Sequence, residues 1–332
     1  MISHYLLGDS LLFLAAAVIS FGLTAGGILG CSRFLPKDHG REFAVNGALS
    51  KGKARGAGLI LILALIASGV VCLPLTVEYI IYFAALFVEM MSGYLDDASE
   101  TPWGELKKGL IDLVVAAGVS FTVYYFHGGT VLLPILGLEL LIPAPVYIIL
   151  GIILIWASIN VTNCADGVDG LCASLSIVTL TSVFFLMQFI GTFFPESGSI
   201  SMFVWIAIFM LIAYLWFNCS PSSILMGDAG SRSIGLLIAV AFMLTGMPFL
   251  FIPCALVLLL DGGLGLVKLT ILRVTKSKKF MKNLRTPLHD HARKNKNWSD
   301  TQVVTRFVLI QSLLCIAIIL LVANRIGPAY IN

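Results

Sequence analysis

Charge is what this sequence has least of. Aspartate, glutamate, lysine and arginine together make up 12% of its 332 residues, where an ordinary soluble domain carries roughly a quarter. Hydrophobic residues make up 58%, and 21 basic plus 18 acidic side chains cannot cover every face of a globule this long. A soluble protein is excluded, and the main solvent is lipid. The net charge of +3 and the confinement of basic residues to a few short segments argue against a nucleic-acid partner. Paired cysteine spacing is missing too. Cys31, Cys72, Cys164, Cys172, Cys219, Cys254 and Cys315 mostly lie in or beside apolar runs, so they read as free, small apolar residues with neither disulfides nor zinc.

What is present is apolar length. Runs near the ~20 residues needed to cross a hydrocarbon core of ~30 Å fall at 7–30, 57–75, 77–95, 109–126, 143–160, 171–191, 201–217, 232–246, 248–271 and 303–323. The expectation is one all-α, polytopic transmembrane domain over 1–332 with ten spans and no soluble domain. The first run lacks a basic leader and a small-residue cleavage site, so it reads as a retained span. The weaker segment Val131–Leu141, with Pro134 and Gly137, reads as a short external hairpin or interfacial piece.

Lysine and arginine orient such a bundle, because loops rich in them stay in the cytoplasm. Segment 31–56 carries six, 96–108 carries Lys107 and Lys108, the turn at 218–232 carries Arg232, and 272–300 carries nine. The loops on the other side have essentially none. Ten spans then return the chain to its starting side, with both termini outward and the odd-to-even connections in the cytoplasm.

The polar clusters gather on that same side. Leu95-Asp96-Asp97 closes the third span; two adjacent carboxylates at a membrane boundary repel and lose hydration, so a cation must compensate them. A solvated helix end is the plainer reading of such a pair, but three further polar loops share the boundary. Asn160, Asn163, Asp166 and Asp169 follow the fifth span at three-residue spacing, broken by Gly167 and Gly170. Three residues advance 300° on an α-helix, so this series lines a loop or tight turn rather than one stripe. Its oxygen donors suit Mg²⁺, which uses one or two carboxylates plus substrate phosphates. Asp228, in Met-Gly-Asp-Ala-Gly-Ser before the eighth span, is read as an N-cap, a metal ligand, or both. His289 and His291, in a basic loop, suit phosphate. Glu89, Asp112, Asp261 and Lys268 fall inside spans and read as structural, with Asp261 beside Gly262-Gly263 as a candidate kink.

These four motifs, in this order and at these loops, resemble the polyprenyl-phosphate N-acetylhexosamine-1-phosphate transferases over the whole chain. Within that superfamily the chain is most similar to the branch acting on UDP-MurNAc-pentapeptide. The resemblance implies transfer of phospho-MurNAc-pentapeptide to undecaprenyl phosphate, giving lipid I and UMP, with Mg²⁺ as cofactor, at the cytoplasmic face of a bacterial plasma membrane. It implies catalytic roles for Asp96, Asp97, Asp228, His289 and His291, with Asp96 as base and Asp228 and Asp169 on the metal. It places Asn163, Asp166, Asp169, Gly170, Leu171, Asn218 and Leu225 on the substrate, and Lys107 and Lys108 are assigned to its phosphates. Membrane lipids, and a second copy of the chain, are the remaining candidate partners. Two positions depart from the family pattern: Asp290 stands where a middle histidine is usual, and Leu225 where phenylalanine is. The stretch Ser50-Lys51-Gly-Lys53-Ala-Arg55-Gly is assigned only general attraction for phosphate. A sister enzyme using UDP-GlcNAc usually carries a third histidine where Ala292 stands. A secondary transporter would place its site at the midplane and often show repeats, and neither feature is present.

Overall fold

In the computed structural model, residues 2–38, 40, 50–99, 101, 103–190, 197–276 and 281–331 are described; the basic residues Arg41, Lys278 and Lys279 lie outside them. The described residues are mostly helical: α1 (Ile2–Cys31), α2 (Gly58–Cys72), α3 (Val77–Asp97), α4 (Glu105–His127), α5 (Ala144–Ala165), α6 (Leu171–Ile190), α7 (Ser197–Asn218), α8 (Gly227–Leu244), α9 (Phe251–Cys254), α10 (Leu256–Thr275), α11 (Leu288–Lys296) and α12 (Asp300–Ile331). Each expected apolar run falls on one of these helices except the ninth, 248–271, which is divided between α9 and α10. Among the described residues eight helices are long and apolar enough to cross a membrane, or nine if the bent pair Pro248–Cys254 and Leu256–Thr275 counts as one, and α2 is a shorter apolar helix of 15 residues. This is a polytopic membrane protein.

Helix α8 is the axis. Its spanning window is 94% buried, against 22% for α12, and α2, α3 and α5 pack round it. The sequence permits this because small residues line the contacts: a side chain on Gly93 of α3 would collide with the backbone of Asp228 and Ala229, so α3 presses directly on the first turn of α8. Helices such as α12 that turn most of their apolar surface outward have lipid for solvent.

The ninth apolar run is broken, with an 87° bend between its halves. The break falls at Ala255, not at Gly262-Gly263 beside Asp261 as the sequence suggested. Backbone groups freed inside a bilayer must find partners within the protein, and Gln311 of α12 supplies them. Its Oε1 accepts from Val257 N–H at 2.8 Å, and its Nε2 donates to Cys254 O. Thr179 Oγ1 also donates to that carbonyl, at 3.3 Å.

Four short strands depart from a purely helical reading. β2 (Thr130–Leu133) and β3 (Leu138–Leu141) form an antiparallel hairpin, the piece expected at Val131–Leu141. β1 (Ala54–Arg55) lies parallel to β4 (Ile224–Leu225), pairing Ala54 with Ile224 and Arg55 with Leu225. Two residues is too short a run to read from alternation, yet this pair ties the first polar loop to the entrance of α8.

Candidate active site

The ends of α3, α4 and α8 bring three of the expected aspartates together. Lys108, in the second turn of α4 rather than in the preceding loop, reaches Asp96 Oδ2 at 2.7 Å and Asp228 Oδ2 at 3.2 Å. Asp96 is held on its other oxygen by Trp103 N–H at 2.6 Å. Asp97 Oδ2 accepts from Ala229 N–H at 3.4 Å, so that carboxylate sits at the positive end of α8. Asp228 is not the N-cap of α8. Met226 holds that position without a side-chain cap, and Asp228 lies in the first turn with its carboxylate free to face the cluster.

The residue that closes this cluster is Arg55. Its guanidinium lies 2.9 Å from Asp97 Oδ1, 3.7 Å from Asp228 Oδ1 and 3.4 Å from Asp38 Oδ1. Burial works against its charge, but Asp97, Asp228 and Asp38 outweigh that and hold it above the ordinary arginine value. Sequence reading gave Arg55 only a diffuse role, because the strand pairing that aims it is invisible in a two-residue run. Lys53, just before β1, donates to Ser222 Oγ at 2.9 Å and lies 3.7 Å from Asp169.

The central polar motif straddles a helix end and a turn: Asn160 and Asn163 lie on α5, where a loop or tight turn was expected, and only Asp166 and Asp169 lie at and beyond its end. Asn163 is still on α5 and donates to Ser231 Oγ at 2.9 Å. Asp166 caps α5 at its C-terminus, and Gly170 takes φ 82°, a left-handed conformation that glycine accepts without strain. Asn218 accepts from Gly170 N–H at 2.9 Å and donates to Ile224 O at 2.8 Å; it fastens this turn to β4. Asp169 Oδ2 accepts from Ser222 N–H at 2.9 Å. Leu171 is fully buried as the first residue of α6, and Leu225 O accepts from Ala57 N–H at 3.1 Å.

The histidine segment is helical rather than a loop. His289 on α11 is buried, with Nδ1 2.8 Å from Asp261 Oδ2 and its backbone N–H on Asp261 Oδ1 at 2.8 Å. Asp261, which the sequence suggested was structural, therefore orients an expected catalytic residue. His289 packs against Gly167. Asp290, the departure from the family pattern, pairs with Arg293 at 2.7 Å, and Arg293 donates to Gly167 O at 3.1 Å. His291 Nδ1 accepts from Arg285 N–H at 3.3 Å. Lys107 is not drawn into the acidic cluster; its ammonium sits over the Trp103 ring, 3.1 Å from the centroid.

Among the described residues no three His, Cys, Asp or Glu side chains are grouped as a ready-made metal site. A divalent cation that borrows ligands from phosphate needs only one or two carboxylates. The donors here fit that requirement: they are all oxygen, with Arg55 Nη2 standing 2.9 Å from Asp97 Oδ1 and 3.7 Å from Asp228 Oδ1. Three carboxylates, Asp96, Asp97 and Asp228, share two cationic side chains, which leaves room for added positive charge.

Residues 79–246 match glycosyl transferase family 4. A phospho-N-acetylmuramoyl-pentapeptide-transferase of Treponema pallidum (strain Nichols) is 33% identical over 318 residues, 92% of this chain and 87% of that relative. Relatives of the same name from Desulfatibacillum aliphaticivorans, 25% identical over 91% of this chain and 89% of its own, and from Clostridium acetobutylicum, 26% identical over 70% and 73%, extend the likeness. With its acidic cluster at the ends of α3 and α8, inside the matched residues, the chain belongs to glycosyl transferase family 4 and, within it, to the phospho-N-acetylmuramoyl-pentapeptide-transferases.

Proposed function

We propose that the chain transfers phospho-MurNAc-pentapeptide from UDP-MurNAc-pentapeptide to undecaprenyl phosphate, forming lipid I and releasing UMP, at the cytoplasmic face of the membrane. The observation that carries this reading is the meeting of Asp96, Asp97 and Asp228 with Arg55 and Lys108 at the ends of membrane helices. Such a site joins a lipid-borne phosphate to a water-borne pyrophosphate. The positive-inside pattern of lysine and arginine supports the siting on the cytoplasmic side, and ten spans with both termini outward is the topology proposed with it.

Phosphoryl transfer asks a protein mainly for positioning and charge neutralisation. Arg55 and Lys108 attract the pyrophosphate, and Lys53 extends the basic edge toward Asp169 and the turn that carries Gly170. Asp96, fixed by Trp103 and Lys108, accepts any proton left on the attacking lipid phosphate. His289, oriented by Asp261, presents Nε2 toward Gly167 and Asp290 at the rim. Asp228, with Asp97 beside it, would hold Mg²⁺, and bound Mg²⁺ supplies neutralisation of the charge on the pyrophosphate oxygens. Asp169, the other expected ligand, is engaged by Ser222 N–H on one oxygen and retains the second for such a role.

The test is transfer in detergent with labelled UDP-MurNAc-pentapeptide and UDP-GlcNAc side by side, each with undecaprenyl phosphate. The expected result is a solvent-extractable labelled lipid from the muramoyl donor alone. A lipid product from UDP-GlcNAc alone reassigns the donor, and no lipid product from either overturns the reading.

A further inference from the structure

Beneath the acidic cluster lies a second set of charges that the transfer reaction does not use. Arg232 donates through Nε to Glu89 Oε1 at 3.0 Å and pairs through Nη2 with Asp112, and all three side chains are buried. They come from the same three helices as the cluster above. Arg232 follows Asp228 by four residues on α8, and Asp112 follows Lys108 by four on α4, about 6 Å deeper at ~1.5 Å per residue. Glu89 precedes Asp96 by seven on α3, again on the same face.

The two layers have opposite polarity. In the upper layer α4 supplies the cation, Lys108, while α3 and α8 supply carboxylates, Asp96 and Asp228. In the lower layer α8 supplies the cation, Arg232, while α3 and α4 supply carboxylates, Glu89 and Asp112. A one-turn slip of α8 would set Arg232 against Lys108, or Asp228 against Asp112 and Glu89, and like charges in that setting repel strongly. Only one register satisfies both layers. Buried ion pairs contribute little net stability compared with apolar side chains of equal volume, and fixing register is their best-attested use.

We propose that Arg232, clamped by Glu89 and Asp112, is a positioning residue that sets the depth of α8 and so the placement of the Asp228 carboxylate against Asp96, Asp97 and Lys108. The proposal rests on the transferase reading above and adds to it the device that fixes its geometry. Arg232 touches neither substrate nor reacting atoms; it acts through Asp228, one turn above.

The experiment compares wild type with the neutral layer Arg232→Met/Glu89→Gln/Asp112→Asn, each as monodisperse protein in detergent, reading kcat and KM for UDP-MurNAc-pentapeptide per folded molecule. A misplaced Asp228 lowers kcat by at least about tenfold while KM stays within about twofold, since small displacements of catalytic groups cost rate before binding. A wild-type kcat in the folded triple variant overturns the proposal. If the triple variant is not monodisperse, Asp112→Asn decides by the same split and Asp112→Glu is expected to restore kcat; an unchanged kcat in Asp112→Asn, or a loss not restored by Asp112→Glu, overturns it. Wild-type protein that forms no lipid product overturns the transferase reading and this inference with it, whereas active wild type with unaffected variants overturns this inference alone.

Discussion

Asp261 and His289 are joined by two contacts, one to the histidine backbone N–H and one to its imidazole Nδ1, each at 2.8 Å. A carboxylate can only accept at both positions, so Nδ1 carries the proton and the ring is fixed with Nε2 turned toward Gly167 and Asp290. An amide at 261 could keep the backbone bond through its oxygen but would offer an N–H donor to Nδ1, reversing the tautomer. Asp261→Asn is therefore expected to lower kcat on the order of 10- to 100-fold, the usual cost of losing an orienting partner, with the protein still folded. Steady-state kinetics checks this, and full activity in Asp261→Asn would remove His289 orientation from the mechanism.

Arg55 reaches Asp97 and Asp228 through Nη2 and Asp38 through Nη1, a fork that the single ammonium of lysine cannot reproduce. Arg55→Lys is expected to lower kcat/KM on the order of 10- to 100-fold, matching the ~1.5–3 kcal/mol of a lost hydrogen bond to a charged group. Its pH behaviour follows from the raised value. A cation held above its ordinary value stays charged at every pH below that value, so its contribution is complete from pH 5 to 9 and is lost only as pH rises past the folded value. The limbs of the wild-type pH–rate profile should therefore keep their positions in Arg55→Lys. A limb displaced by a full pH unit would show that the lysine ammonium does not replace the guanidinium charge beside Asp97 and Asp228.

Much of this was legible in the residues. Apolar length marked the helical runs, and the paired aspartates, the Asx series with Gly170 and Asp228 marked parts that converge. What escaped were contacts set by pairing between distant elements. Nothing in the local sequence of Asp261 announces His289, because the two meet only after the chain runs out along α10 and comes back in α11. Arg55 escaped for a similar reason: its aim depends on a two-residue strand whose partner lies 170 positions away. Glu89 and Asp112 were visible as charges inside apolar sequence, whereas Arg232 was read as part of the turn at 218–232 and is instead buried on α8; their joint role depends on the depth at which three helices pack.

The orientation has a direct test. Leu136, at the exposed turn between β2 and β3, and Asn283, before α11, fall on opposite sides of the membrane if both termini face outward. In a background lacking the native cysteines, Leu136→Cys is expected to react with a membrane-impermeant thiol reagent in intact cells, and Asn283→Cys to be labelled only after the membrane is opened. The reverse pattern would turn the protein over and move the acidic cluster to the outer face.

The chemical step is expected to be a single displacement at the β-phosphorus. The attacking lipid phosphate has a second ionisation near pH 6, so at neutral pH it is already largely the dianion and a strong base is not obligatory. A covalent aspartyl-phosphate would instead require Asp96 or Asp97 to approach a charged pyrophosphate as a further anion. Asp96 is also occupied on both oxygens, by Trp103 N–H at 2.6 Å and Lys108 at 2.7 Å, which suits a proton acceptor held in place better than a nucleophile that must advance. Asp96→Asn should therefore lose most rate at low pH, where more of the lipid phosphate keeps its proton, and recover in part as pH rises. Direct attack also inverts configuration at a β-phosphorus made chiral with oxygen isotopes. Net retention, or a phospho-enzyme trapped on Asp96 or Asp97, would require two displacements and defeat the single-step route.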